Sequence, residues 1–317
     1  MRAPGFWQRG GLLPRLLTPA AWVYATATAR RLARPGWRAP VPVICCGNAG
    51  AGGSGKTPLA LALATRLLAR GATPALLTRG YGGRLRGPIR VTATHQARDV
   101  GDEAMLLAAV APCYVGADRA ATARLAVADG ASVLVMDDGL QNPTLHKDFA
   151  ILVIDGAEGF GNARVMPAGP LREPVSAAAA RCGAAVVIGA DLRGAVDALP
   201  AGLPVLRGHL QSEYAPSGVR VVAFAGIGRP EKFFASLTEA GAELVARFPF
   251  PDHHRYRPAD LRRVTEAAVL LDAMVVTTPK DAVRLTPAMR GAVRVVGVSI
   301  VWDDPAALDA LLDKIAP

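Results

Sequence analysis

The feature that most constrains the fold is a glycine-rich loop that joins a short apolar run to a run rich in leucine and alanine. Residues 50–57 read GAGGSGKT and match the pattern G-x-x-x-x-G-K-[ST] at every position. The apolar run at 41–46 predicts a strand, and the run after Lys56 predicts a helix. Glycines let successive backbone N–H groups turn inward, and a helix start adds partial positive charge. This unit therefore predicts a phosphate-binding loop rather than a flexible corner.

The residues that complete the loop suit a nucleotide bound with Mg²⁺. Lys56 is expected to reach the β- and γ-phosphates, and the Thr57 hydroxyl is expected to bind the metal. Asp137 and Asp138 end a second apolar strand, at the sheet edge where α/β proteins bind ligands. The alternative is an acidic turn, because Asp–Gly commonly makes turns. The predicted phosphate contacts are Gly50, Gly52, Gly53, Ser54, Gly55, Lys56 and Thr57.

After residue 40 the chain alternates short apolar runs with helical patterns. This alternation predicts an α/β fold of P-loop NTPase type, with a mostly parallel sheet flanked by helices. A second series of strands begins at 219–228, after a polar, turn-rich stretch at 209–218. We therefore predict a P-loop domain at 39–215 and a smaller C-terminal α/β domain at 216–317.

Charge is distributed unevenly along the chain. Residues 1–98 contain 15 Lys or Arg and no Asp or Glu, whereas the other 219 residues contain 21 basic and 26 acidic side chains. Such an asymmetry indicates an anionic partner for the N-terminal half: a membrane surface, a nucleic acid or a phosphorylated substrate. Nucleic acid is the least favoured of the three, because no recognisable recognition module is present.

Residues 1–38 form a basic, aromatic N-terminal segment, in which Trp and Tyr alternate with Arg. Their longest uncharged stretch, 16–29, is too short to span a bilayer. The composition favours a segment that lies in a membrane interface. A secretory signal peptide and an ordinary helix packed on the domain are the alternatives.

Several unusual strings follow one another along the chain, and together they resemble the tetraacyldisaccharide 4'-kinase family. The resemblance covers residues 40–285, and its most specific parts are PAGPLREP and AFAGIGRP, which no general rule for nucleotide sites would produce. Besides the phosphate loop, the strings are TRGYGG (78–83), VGDEAMLL (100–107), GADR (116–119), MDDGLQN (136–142), PAGPLREP (167–174), AFAGIGRPEKFF (223–234), FPDHH (250–254) and TPKDAVRL (278–285).

The resemblance implies a lipid kinase that works at the cytoplasmic face of the inner membrane. Such an enzyme transfers the γ-phosphate of ATP, with Mg²⁺, to the 4'-hydroxyl of a tetraacylated glucosamine disaccharide 1-phosphate in lipid A synthesis. An anionic membrane surface is the other expected partner, and no obligate protein partner is inferred. The rival interpretation is a membrane-attached P-loop switch ATPase that acts through protein partners. It explains the phosphate loop and the basic N-terminus but not PAGPLREP.

The resemblance also implies a proton acceptor built from Asp102 and His253, because a carboxylate can orient an imidazole and stabilise its protonated form. His254 is the alternative, and His253 is favoured because it directly follows Asp252. Since Asp102 and His253 belong to different predicted domains, we expect the active site in the cleft between them.

Other side chains of the strings receive supporting roles. Candidates around Mg²⁺ are Thr57, Glu103, Asp137, Asp138 and Gln141, and Arg79 and Arg119 are expected to neutralise phosphate charge. Arg172 and Glu173 are candidates for shaping the acceptor site, and Lys280 with Asp281 for recognising the base. The chain departs from the family pattern at Asn142, where His is common, and at Arg229, where Asn is expected.

Overall fold

The computed structural model describes residues 4–214 and 217–315. The helices are α1 (Leu12–Leu16), α2 (Thr18–Leu32), α3 (Lys56–Ala69), α4 (Ala97–Val100), α5 (Asp102–Ala108), α6 (Arg119–Ala128), α7 (Val175–Ala179), α8 (Pro230–Glu239), α9 (Pro258–Leu270), α10 (Pro279–Ala282), α11 (Pro287–Arg290) and α12 (Pro305–Asp313). The strands are β1 (Val43–Gly47), β2 (Pro74–Thr78), β3 (Ile89–Arg90), β4 (Cys113–Val115), β5 (Val133–Asp137), β6 (Phe149–Asp155), β7 (Ala184–Ile188), β8 (Val205–Ser212), β9 (Arg220–Ala225), β10 (Glu243–Pro249), β11 (Met274–Thr277), β12 (Arg294–Val295) and β13 (Val298–Trp302).

Nine strands form a large sheet in the order β13-β8-β7-β6-β1-β5-β2-β4-β3. All neighbours are parallel except the two edge pairs, β13 with β8 and β3 with β4. The inner strands β1, β2, β5 and β7 are buried along their whole length, as expected for strands covered by helices on both faces. The predicted α/β fold with a mostly parallel sheet is confirmed.

The phosphate-loop helix α3 lies on one face of this sheet. Leu59, Leu63 and Leu67, spaced at four residues along α3, are fully buried in the cluster that also includes Ile44 of β1 and Leu107 of α5. This spacing places the leucines on one helix face. The packing fixes the N-terminus of α3 at the carboxyl end of β1.

A smaller parallel sheet, in the order β10-β9-β11-β12, forms the centre of a second lobe. Helix α8 covers one face through Phe233, Phe234 and Leu237. Helix α9 covers the other face through Leu261 and Val264. The second α/β unit that the sequence predicts is therefore present.

The end of the chain returns to the large sheet. Strand β13 pairs with β8, and α12 packs against α3, where Arg66 and Arg70 form ion pairs with Asp309. The sequence assigns all of 216–317 to the C-terminal domain, and the structure differs in this respect. Apolar patterning identifies a strand but not the sheet that the strand joins. The predicted boundary between residues 215 and 216 lies outside the described residues.

The N-terminal segment contains the helices α1 and α2 and leaves much of its apolar surface uncovered. Leu12, Leu16, Trp22 and Val23 are 72, 68, 70 and 62% exposed. Within the described ranges, no helix combines the length and the apolar character that crossing a membrane requires.

Candidate active site

The phosphate loop connects the central strand β1 to the first turn of α3. Gly55, the residue before α3, has φ +88°, a conformation that favours glycine. A Cβ atom at this position would also overlap the side chain of Ile188. At the other end of the loop, Gly50 forms an isolated antiparallel bridge with Leu171. The segment 167–174 therefore supports the loop from the side.

Lys56 is held over the loop by its own neighbours. Its ammonium group donates to Asn48 Oδ1 at 3.1 Å and to the carbonyl of Gly52 at 3.3 Å. Asp138 Oδ1 lies 3.8 Å from the same nitrogen. The Lys56 side chain is only 10% exposed, so its ammonium group lies against the loop and has little contact with bulk water.

Thr57 and Asp137 meet at the carboxyl edge of the sheet. The Thr57 hydroxyl donates to Asp137 Oδ2 at 2.9 Å. Asp137 Oδ1 and the hydroxyl oxygen of Ser54 are buried and have no hydrogen-bond partner among the described residues. Burial, followed by the nearby charge of Glu103, raises the pKa of Asp137 to about 7. Burial and Glu103 therefore outweigh the hydrogen bond from Thr57 and the charge of Lys56, which both lower the pKa of Asp137.

Asp138 and Gln141 belong to a hydrogen-bonded network with Arg172 and Glu173. Arg172 donates to Asp138 Oδ1 at 2.9 Å and to Gln141 Oε1 at 3.2 Å. The amide nitrogen of Gln141 donates to Glu173 Oε1 at 2.9 Å. Burial favours a higher pKa for Asp138, but Lys56 and Arg172 outweigh it and lower the pKa.

The five predicted metal residues thus fall into different environments. Glu103 accepts a hydrogen bond from Lys280 at 2.8 Å, and Asp138 and Gln141 accept from Arg172. Thr57 and Asp137 have no such cationic partner within the described parts of the chain. In those parts, no three His, Cys, Asp or Glu side chains gather into a cluster that would hold a metal by itself.

Arg119 is buried beneath the site rather than exposed in it. The side chain donates to the carbonyl of Gly116, and the residue is 2% exposed. Burial lowers its pKa to about 10, although Asp138 and Asp137 act in the opposite direction. The charge of Arg119 therefore interacts with the aspartate pair, and among the described residues its side chain donates to Gly116 and not to the phosphate loop.

Asp102 and His253 meet across the cleft between the two lobes. Asp102 is the first residue of α5 in the large lobe, after Gly101 at φ +92°. His253 lies in the loop after β10, and its backbone N–H donates to the carbonyl of Gly226 at 3.0 Å. His253 Nδ1 is 2.8 Å from Asp102 Oδ2. The two groups that the resemblance pairs are therefore hydrogen-bonded.

His254 faces into the second lobe instead. Its Nε2 lies 3.0 Å from Asp260 Oδ2, and its ring stacks on Phe250 with centroids 4.7 Å apart. Asp260 also accepts from the backbone N–H of Arg257 at the start of α9. His254 thus stabilises that helix start. This geometry favours His253 over His254 as the partner of Asp102.

The electrostatics of the Asp102–His253 pair favour an ion pair. The hydrogen bond to Asp102 raises the pKa of His253 above its ordinary value. Burial alone would raise the pKa of Asp102, but the bonds from His253 and Arg284 lower it. The carboxylate therefore stays charged, and the imidazole is the member of the pair that gains a proton readily.

Three further side chains contact the site, although no role in it was predicted for them from the sequence. Asn48 holds Lys56, and Arg284 donates to Asp102. Arg229 bridges the lobes by donating to the carbonyl of Gly53 at 3.1 Å and to Asp155 at 2.9 Å. Arg284 and Arg229 both lie in the family strings, which was the available signal, but only tertiary structure shows which carboxylates they reach.

Comparison with known proteins extends over nearly the whole chain. A family model described as tetraacyldisaccharide-1-P 4'-kinase matches residues 13–316. The tetraacyldisaccharide 4'-kinase of Gluconacetobacter diazotrophicus is 59% identical over 319 residues, which cover 99% of this chain and 98% of that protein. The tetraacyldisaccharide 4'-kinase of Rhodospirillum centenum is 54% identical over 324 residues, covering 98% and 96%.

A solved structure matches both lobes. The crystal structure of LpxK from Aquifex aeolicus in complex with ATP is similar with a TM-score of 0.77 and 25% sequence identity. The match covers 96% of this chain and 99% of that one. The predicted P-loop kinase fold and the family indicated by the ordered strings are both confirmed: the chain belongs to the tetraacyldisaccharide 4'-kinase family.

Proposed function

We propose that this protein transfers the γ-phosphate of ATP to the 4'-hydroxyl of a tetraacylated glucosamine disaccharide 1-phosphate in lipid A synthesis. The observation that carries the proposal is the Asp102–His253 hydrogen bond across the cleft, in a chain of this family. Glu103, next to Asp102, is close enough to Asp137 to raise its pKa. The pair therefore lies near the phosphate loop. A switch ATPase would use such a proton acceptor on water, whereas the family of this chain favours a disaccharide hydroxyl as the acceptor.

In the transfer step, the oxygen of the 4'-hydroxyl forms a bond to the γ-phosphorus. The bond from that phosphorus to the β,γ-bridging oxygen breaks, and ADP leaves with the electron pair. The hydroxyl proton passes to the Asp102–His253 pair, where Asp102 stabilises the resulting imidazolium. Lys56 and the backbone N–H groups of the loop neutralise charge on the transferred group.

The donor set formed by Thr57 at the start of α3 and Asp137 at the end of β5 fits Mg²⁺. Thr57 and Asp137 supply oxygen atoms, the ligands that Mg²⁺ prefers, and Asp137 Oδ1 is buried without a partner among the described residues. Protein Mg²⁺ sites of this kind use one or two carboxylates and complete the shell with water and substrate phosphates. Bound there, Mg²⁺ would neutralise phosphate charge during transfer. We assign Asp138 and Gln141 to holding Lys56 and Arg172 in place.

The N-terminal helices provide a surface for the membrane that carries the lipid substrate. Their exposed apolar side chains and the surrounding arginines suit an interface with anionic lipid. We propose that they lie on the cytoplasmic face of the inner membrane, where ATP is present.

The test is a mass-spectrometric kinase assay with ATP, Mg²⁺ and the tetraacylated disaccharide 1-phosphate. The wild-type protein should yield a product heavier by one phosphate. His253→Gln is expected to lower turnover by about 100-fold or more, the usual contribution of a positioned acid–base group, while ATP binding stays unchanged.

His254→Gln is the matched control, since it alters the adjacent histidine by the same substitution. It should lose stability at the start of α9 but keep most of its turnover. Equal losses of turnover in the two variants would contradict the assignment of His253, and absence of product from a wild-type protein that binds ATP would contradict the proposed reaction.

A further inference from the structure

Arg284 is a second cation on the carboxylate of Asp102. Its Nε donates to Asp102 Oδ2 at 2.7 Å, and its Nη2 lies 2.5 Å from the same oxygen. His253 Nδ1 also lies 2.8 Å from Oδ2. One carboxylate oxygen is therefore shared by a guanidinium and an imidazole. Both Arg284 and Asp102 are largely buried, with side chains 6 and 10% exposed, so solvent screens their interaction little.

A buried network in the second lobe holds Arg284 in this orientation. Its Nη1 donates to the carbonyl of Gly226 at 2.7 Å and to Asp281 Oδ1 at 3.1 Å. Asp281 is fully buried and also accepts from the hydroxyls of Tyr256 at 2.7 Å and Thr278 at 2.6 Å. Rotating the guanidinium away would break its bond to a buried carboxylate, which is costly. The network therefore presents a fixed positive charge to Asp102.

We propose that Arg284 is a positioning residue that sets the pH above which the Asp102–His253 pair can accept the substrate proton. The inference rests on the proposed function, in which this pair is the proton acceptor. Protonation cancels the net negative charge of the pair, and a fixed cation in contact with it opposes that change. Arg284 thus keeps the pair free to accept a proton at a lower pH than it otherwise would.

Other charged and titratable groups face the Asp102–His253 pair from the elements around it. Some of them favour protonation of the pair and others oppose it. Asp252 Oδ1 is 3.9 Å from His253 Nε2, and the ring of Tyr81 lies 5.6 Å from the imidazole. Glu103 and Lys280 pair with each other beside Asp102, and Asp281 pairs with Arg284. Among the described residues, Arg284 is the only fixed cation in direct contact with Asp102.

The test compares the pH dependence of kcat/KM in Arg284→Gln, Arg284→Lys and the wild-type protein, each normalised to its own plateau. Arg284→Gln should move the acid limb to higher pH by about 1 unit or more, the usual effect of one charge in contact with a carboxylate. Arg284→Lys keeps the charge and should move the limb much less. Arg290→Gln is the matched control, because the guanidinium of Arg290 donates only to the carbonyl of Ala282 among the described residues.

A merely structural role would lower the plateau and leave the limb in place, which would overturn the proposal. A shift of the acid limb by about 1 unit or more in Arg284→Lys would overturn the proposal too. This second test remains available even if Arg284→Gln does not fold.

Titration of the His253 imidazole by NMR gives a readout without substrate. Its pKa should be higher in Arg284→Gln than in the wild type, and an unchanged pKa would contradict the proposal. The titration needs no catalysis. If the pKa of His253 rises in Arg284→Gln but the wild-type protein phosphorylates no disaccharide, only the proposed function is contradicted.

Discussion

At the scale of single residues, the proposed mechanism separates phosphate binding from proton transfer. Lys56 belongs to the phosphate loop, where it is held by Asn48 and Gly52, whereas Asp102 and His253 meet at the cleft. Substitutions at the two places should therefore affect different steps.

Lys56→Ala is expected to weaken the binding of ATP with Mg²⁺ by about 10- to 100-fold, the usual loss for hydrogen bonds to a charged group. Isothermal titration calorimetry measures this change directly. Asp102→Asn serves as the control, since it should retain ATP affinity while losing turnover. An unchanged dissociation constant in Lys56→Ala would show that the lysine does not contact the phosphates.

At the scale of elements, α1 and α2 expose apolar side chains that a soluble lobe would normally cover. Replacing both Leu16 and Trp22 by Ser should weaken binding to vesicles that contain anionic lipid by about 100-fold or more, since burying each large side chain contributes about 1.5–3 kcal/mol. Co-sedimentation with such vesicles measures the change. Leu192→Ser is the control, because Leu192 is equally exposed, at 72%, but lies outside these helices. Equal loss in the control would argue against a specific membrane surface.

How well the sequence predicted each element depends on how local its signal is. The strand–loop–helix unit around Lys56 is encoded in consecutive residues, so its structure could be anticipated. The apolar run that ends at Asp137 predicted a carboxylate at the same sheet edge, but the hydrogen bond between Thr57 and Asp137 joins residues 80 positions apart and is seen only in the structure. Pairing of Asp102 with His253 required the family resemblance, because 151 residues separate them. Arg284 could not be assigned, since nothing in TPKDAVRL indicates which carboxylate it meets. The return of β13 to the large sheet was missed for the same reason.

At the scale of the whole molecule, ion pairs hold the two lobes together around the phosphate loop. Lys280 meets Glu103, Arg284 meets Asp102, and Arg229 and Lys232 share Asp155. Each pair joins a cation of the second lobe to a carboxylate of the large one. A charge change at one of these carboxylates should therefore loosen the cleft.

Asp155→Asn removes the carboxylate that Arg229 and Lys232 share. We expect amide hydrogen exchange in residues 226–229 and 250–254 to become about tenfold faster, because hydrogen bonds to charged groups contribute about 1.5–3 kcal/mol. Glu231→Gln is the matched control, since the exposed pair of Glu231 with Arg247 lies within the second lobe. Faster exchange in the control would contradict a role for these pairs in closing the cleft, and so would an unchanged exchange rate in Asp155→Asn.

The return of the chain to the large sheet has a consequence for synthesis on the ribosome. Ser212 of β8 is paired with Val298 of β13, so the second lobe leaves and re-enters the large sheet at neighbouring positions. While the second lobe is being translated, β8 has an unpaired edge, which is a site for wrong pairing with other chains. The apolar face of α3 that packs against Leu308 and Leu312 also stays uncovered until α12 has been translated. The large lobe, which contains the phosphate loop, is therefore the first lobe to be translated and the last to be complete.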